Sequence, residues 1–210
     1  MNAMMLKLML GLGVIGHAVN MYCDRRLSIF PNGQIDYKTI KDLFKGDNAA
    51  RLMEGVSEKV PMFSTVAGAF CVLLELMGYS ALGFYTYQYN QVLGMIMVFG
   101  SALYGVLGAA YHVKEGFAEY LFLKMGRDDR AKECMMYLQN SASILRICVA
   151  GILALIIAYC IAVATGVIGF PIWALVFTIL PVVILIFPFK IIGSIHIGAM
   201  VSMLGWMLLM

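Results

Sequence analysis

The sequence predicts an all-α fold: a polytopic helical membrane bundle of six transmembrane helices, with both termini outside and spans three and four extended into the cytoplasm. Three observations lead there. Hydrophobic residues make up 62% of the 210 and charged residues only 13%, against roughly 25% charged in soluble domains. With a mean hydropathy of +0.87, a soluble fold of this size could not hide its apolar surface. Second, six apolar runs approach the length of about 20 residues that a bilayer core demands: Met4–Cys23, Val60–Tyr85, Val92–Val113, Ile144–Val167, Pro171–Phe189 and Ile191–Met210. Third, every Lys and Arg beyond Lys7 falls in alternate gaps between these runs or, for Arg146, at the foot of the fourth, and the gaps at Thr86–Gln91 and Ile168–Phe170 carry no charge.

The first run is a retained span rather than a cleaved signal, since no small-residue cleavage site follows it. The gap after it holds Arg25, Arg26, Lys38, Lys41, Lys45, Arg51 and Lys59. The gap after the third run holds Lys114, Lys124, Arg127, Arg130 and Lys132, with Arg146 at the foot of the fourth span, and Lys190 separates the last two runs. Basic loops are kept in the cytoplasm, so the chain is expected in the cytoplasmic (inner) membrane with both ends outside. Trp173, Trp206, Tyr85, Tyr87 and Tyr89 then fall at the outer rim, where amphipathic rings anchor.

Residues 1–210 read as one transmembrane domain with two cytoplasmic elaborations. In the loop 24–59, Ile40, Leu43, Phe44, Leu52, Met53 and Val56 recur at helical spacing, the pattern of short amphipathic helices on a membrane surface. Over 114–143 the helical pattern barely pauses: Gly126 can end one helix and Asp128 or Asp129 can cap the next, which makes a helical hairpin. Small residues at four-residue spacing, Ser101-Gly105-Ala109 and Ser194-Gly198-Ser202, mark faces where helices approach closely. Pro181 and Pro188 are expected to kink the fifth span. The five cysteines show no zinc or redox spacing and are read as reduced thiols.

Ionisable groups in a bilayer are costly and mark functional sites. At about 1.5 Å of rise per residue, His17 lies roughly 8 Å from the inner end of its span. His112 and His196 come equally near the inner ends of theirs, with Asp24, Glu115 and Glu119 at or just beyond that level. These six define a candidate polar pocket open to the cytoplasm. His112, Glu115 and Glu119 share one helix face, and His17 and Asp24 lie seven residues apart on another. Imidazole and carboxylate together suit a divalent metal or general acid–base work; interfacial residues that merely touch water are the competing reading. No cofactor is assigned, with a divalent metal as the alternative. Glu75, about 22 Å from the inner end of its span, is placed outside this shell. There it pairs with Lys7 as an intramembrane ion pair, or else bonds to Tyr159.

Gly13-x-x-Gly16 with Asp24-x-x-Leu27, the sequence Ala110-Tyr111-His112, and Gly169-Phe170-Pro171-x-Trp173 leading to Pro181 resemble an uncharacterised family of bacterial multi-pass membrane proteins. The resemblance covers most of the chain. It implies Asp24 and His112 as positions of interest and carries no established reaction.

Function classes separate accordingly. A net charge of +3, with acids and bases mixed, argues against nucleic acid as a partner. The favoured reading is a non-enzymatic protein whose cytoplasm-facing polar cavity binds or transports a small molecule, ion or lipid. One alternative is a metal-dependent intramembrane hydrolase acting on a lipid-like substrate through His17, His112 and His196 with Asp24 or Glu115. Another is a receptor, immunity or assembly protein working through its cytoplasmic loops, as a homo-oligomer or with a protein partner. A Cys/His peptidase built on Cys23 and His17 is disfavoured, because six residues of helix point the two side chains apart.

Overall fold

A computed structural model describes residues 1–35, 42–139 and 143–210. It is 80% helical with almost no sheet. The long helices are α1 (Ala3–Ser28), α3 (Lys59–Tyr87), α4 (Gln91–Lys124) and α6 (Ser143–Ala164). The short helices are α2 (Asn48–Leu52), α5 (Asp129–Gln139), α7 (Ile179–Ile186) and α8 (Ser194–Leu209). Four helical segments are long and apolar enough to cross a membrane: α1, α3, α4 and the stretch that contains α6. Their outward faces carry large apolar side chains, such as Phe63, Val66, Phe70 and Leu73 along α3. Exposed in this number, such groups suit a lipid surround rather than water.

The ends of these helices follow from local chemistry. Asn2 caps α1 by accepting from the Met5 N–H at 2.9 Å, and Asn90 caps α4 by accepting from the Leu93 N–H at 3.0 Å. Gly126 takes φ +91° just after α4, a conformation that favours glycine. Asp128 then accepts from the Ala131 N–H at 2.8 Å to start α5.

Packing relies on missing side chains. Helices in lipid gain little from burying apolar surface, so close backbone approach supplies much of their adhesion. Where α1 crosses α3, a Cβ on Gly13 would lie 2.8 Å from the Gly78 Cα, and one on Gly16 would lie 2.7 Å from the Cys71 carbonyl oxygen. The α4–α6 crossing is as tight, with a Cβ on Gly100 falling 2.5 Å from the Gly151 oxygen. The α8 stripe seats Gly198 against the Ile179 backbone of α7.

Three expectations change. The fifth apolar run is broken into a 3-10 turn at Ile172–Val176, α7, and a second 3-10 turn at Phe187–Phe189. It still connects the two ends of the bundle: Phe170 stacks on Tyr85 near one end, and Gly193 packs against Met21 near the other. Pro181 falls in the first turn of α7, where its absent N–H is not needed, so it shapes a helix start rather than a kink. Trp206 is no rim anchor. It is 1% exposed and packed between Tyr79 and Tyr159, whereas Trp173 is exposed.

The loop after α1 also differs from a set of surface helices. Ile29–Phe30 and Gly33–Gln34 form a tiny antiparallel ribbon, and α2 is one short turn. Phe30, Leu43, Ala49 and Met53 pack onto Ala118 and Phe122 of α4 and Ala131 and Met135 of α5, making a second core at the α4–α5 turn. The helical hairpin offers these residues an apolar surface, so they need not lie on lipid. Lys38, Ile40 and Lys41 lie outside the described residues.

The α1–α3 crossing is directly testable. Gly13→Val should sharply lower the thermal stability and yield of detergent-solubilised protein. Gly11→Ala meets nothing within 4 Å and should be neutral or stabilising by up to about 1 kcal/mol. Equal unfolding temperatures for the two variants would contradict the tight crossing.

Candidate functional site

Helix α1 presents Gly13, the adjacent Gly16 and His17, then Asn20, Asp24 and Leu27, successive positions three or four residues apart that make one stripe facing the bundle. The glycines bring α3 so near that His17 and Glu75 come level. His17 Nδ1 stands 3.1 Å from Glu75 Oε1. This overturns the expected Lys7–Glu75 ion pair and the placement of Glu75 outside the histidine shell. α1 continues to Ser28, five residues past the expected inner end, so His17 lies deeper than Cys23 as an end point implied. The Glu75 carboxylate is instead held by neutral donors. Asn20 Nδ2 donates to Oε1 at 2.9 Å, and the Tyr104 hydroxyl donates to Oε2. Tyr159 bonds elsewhere, donating to the Ala174 carbonyl at 2.7 Å.

Helix α8 completes the cluster. It is buried on two sides, Gly198 against α7 and His196 against α1, so a histidine away from the small-residue stripe is still inside. His196 Nδ1 lies 2.9 Å from His17 Nδ1 and 3.7 Å from Glu75 Oε1. The far nitrogen of each ring is also held: His17 Nε2 is 3.0 Å from the Tyr79 hydroxyl, and His196 Nε2 is 2.9 Å from Asp24 Oδ2. His112 Nε2 meets the other oxygen of Asp24 at 3.2 Å. A carboxylate only accepts, so both Nε2 atoms carry hydrogen and donate to Asp24.

The result is a connected run, Glu75–His17–His196–Asp24–His112. Exposure rises along it from 0% at Glu75 through 2% at His17 and 6% at His196 to 33% at Asp24. At Asp24 it reaches a cleft of about 280 Å³ also lined by Tyr111, His112, Glu115, Glu119 and Gln139. Of the six residues of the candidate pocket, His17, His196, Asp24 and His112 are linked through side-chain contacts, and Asp24, His112, Glu115 and Glu119 share the cleft. His17 and His196 lie deep; Asp24, His112, Glu115 and Glu119 line the opening. Glu115 pairs with Lys114 at 3.0 Å, and Glu119 is 4% exposed. Neither Asp24 nor Glu75 forms an ion pair with a lysine or arginine among the described residues.

Asn20, Tyr79 and Tyr104 are the participants that sequence reading missed. Asn20 falls three residues after His17, and Tyr79 four after Glu75, each on its neighbour's face. Tyr104, between Ser101 and Gly105, carried no such signal.

Glu75 gives a sharp test. Glu75→Gln turns one acceptor oxygen into an amide that faces a donor, either Tyr104 or Asn20. It should destabilise detergent-solubilised protein by about 1–3 kcal/mol. Lys7→Met should leave the unfolding temperature unchanged, alone or combined with Glu75→Gln. Rescue of Glu75→Gln by Lys7→Met would restore the ion-pair reading.

No curated protein and no solved structure shows a significant match to the chain. One family model does, over residues 1–210, and the chain belongs to that family: the family of unknown function DUF6796.

Proposed function

We propose that this member of the family is a six-span protein of the cytoplasmic membrane whose polar cavity opens to the cytoplasm and binds a small cation. The observation that carries this reading is the graded hydrogen-bonded run from Glu75 to Asp24, which ends in an acidic cleft. Three carboxylates, Asp24, Glu115 and Glu119, line that cleft; Lys114 pairs with Glu115, and among the described residues no lysine or arginine forms an ion pair with Asp24 or Glu119. An acidic recess at the foot of an apolar bundle attracts positive charge, because low-dielectric walls focus the field of its carboxylates. The same recess would serve as the cytoplasmic mouth of a cation transporter.

The orientation rests on charge. Arg25, Arg26, Lys124 and Arg127 gather at the end of the bundle where the cleft opens, while Tyr87–Asn90 at the opposite end bear none. Six passes are supported by the broken run between Phe170 and Lys190, which connects the two ends although α7 is only 8 residues long.

Cysteine labelling tests both parts. In a background with the native cysteines replaced, Ser28→Cys lines the cleft and Gln88→Cys lies at the opposite end. A membrane-impermeant maleimide should label Ser28→Cys only in inside-out vesicles and Gln88→Cys only in right-side-out vesicles. Labelling of both from one side would refute the orientation. Mn²⁺ or guanidinium, added as probe cations, should slow Ser28→Cys labelling at least twofold and slow it less when Asp24→Asn is added. Unchanged labelling with both probes would refute cation binding in the cleft.

A further inference from the structure

We infer that His17 Nδ1, His196 Nδ1 and Glu75 Oε1 form a three-donor site for a divalent transition-metal ion of the zinc class. This rests on the cation-binding reading above and names the ion for its innermost part. The three donor atoms converge from three different helices, α1, α8 and α3, with separations of 2.9, 3.1 and 3.7 Å. Ligands about 2.1 Å from a tetrahedral zinc stand roughly 3.4 Å from one another, so the observed separations bracket the edge of that tetrahedron. Two nitrogens and one oxygen, all borderline or hard donors, match zinc rather than calcium or magnesium, which prefer oxygen shells.

The groups behind the donors point the same way. His196 Nε2 donates to Asp24, so its neutral ring turns a lone pair at Nδ1 toward His17 and Glu75. Tyr79 can accept from His17 Nε2, which frees the Nδ1 lone pair of that ring in the same direction. Asn20 and Tyr104 hold the carboxylate from outside. A carboxylate–histidine pair and oriented neighbours of this kind fix ring tautomer and raise ligand basicity at metal centres. Charge is consistent as well. Asp24 and Glu75 bring two negative charges among buried neutral rings without a lysine or arginine partner among the described residues, and one divalent ion balances them. The competing arrangement shares protons between the two Nδ1 atoms and Glu75 and holds no metal.

Full-length protein in detergent, stripped with chelator, exposed to Zn²⁺ and desalted, distinguishes the two. Elemental analysis should find one equivalent of Zn²⁺ retained per chain, and Co²⁺ in its place should give the visible absorption of a four-coordinate ion. Lys7→Met should bind as the wild type does. Glu75→Gln and His196→Gln should each weaken binding at least tenfold, and Asp24→Asn roughly ten- to a hundredfold. Because a variant can fail to fold, wild-type protein decides alone. Retention below a tenth of an equivalent, with no four-coordinate Co²⁺ spectrum, overturns the inference, as does undiminished binding by a folded Glu75→Gln, His196→Gln double variant. Maleimide access at Ser28→Cys separates the two proposals. If cations still slow labelling while Zn²⁺ is not retained, the cavity stands and the metal site falls.

Discussion

A carboxylate without exposed surface lies in the middle of an apolar helix bundle, and much of the architecture around it is a response to that fact. Stripping an isolated carboxylate of water costs far more than a protein of this size can lose, so it must be neutralised or surrounded by donors. Here the donors come from separate helices. Asn20 reaches from α1 and Tyr104 from α4, while His17 and His196 close the remaining sides. Together these groups tie α1, α4 and α8 to α3, so the polar centre works as a fastener in a setting where apolar burial gives helices little reason to associate.

This fastener requires helices closer than ordinary side chains permit. The Asn20–Glu75 bond spans 2.9 Å, within reach because Gly13, Gly16 and Gly78 let α1 and α3 meet backbone to backbone. Any β-carbon at that crossing would push α1 outward and lengthen both the Asn20 bond and the His17 contact. Glycine placement and polar chemistry are thus one design feature. The first sets the distance and the second uses it. Met203 fills the space beside the crossing and carries α8 against the same spot, which puts His196 within reach of α1.

Much of this was legible in the residues, though unevenly. Helical class follows from run length, and the pocket members follow from depth: His17, His112, His196 and Asp24 share one layer because each stands a similar number of residues from a charged span end. Depth counting failed for Glu75, since it measures from presumed span ends, and α1 outruns its apolar stretch as far as Ser28. Arg25 and Arg26 occupy the last turn of a continuing helix rather than starting a loop, and their side chains suit the negative end of its dipole. Register between helices was the missing quantity. Gly13-x-x-Gly16 and Gly78 encode it, but only once the two helices are known to be partners. The breaks at Val176–Ile179 and Phe187–Lys190 were illegible for another reason: an unbroken apolar run reports transfer energy, and backbone shape leaves no mark in hydropathy.

Asp24 links the buried cluster to the water-accessible side, which makes its position the most consequential of the polar set. One oxygen faces His196 and the other faces His112, so a single carboxylate joins a nearly dry ring to one that lines the cleft. At 33% exposure it keeps contact with water, and its charge costs less than that of Glu75. The two carboxylates differ in depth, Glu75 fully buried and Asp24 at the cleft, where Leu27, Ile35 and Leu43 form the apolar part of the wall. On the proposed cation-binding reading, an ion passing from Asp24 toward Glu75 would exchange water for protein ligands one group at a time. Interfacial groups satisfied at helix ends would face water separately, whereas Glu75, His17, His196, Asp24 and His112 face one another.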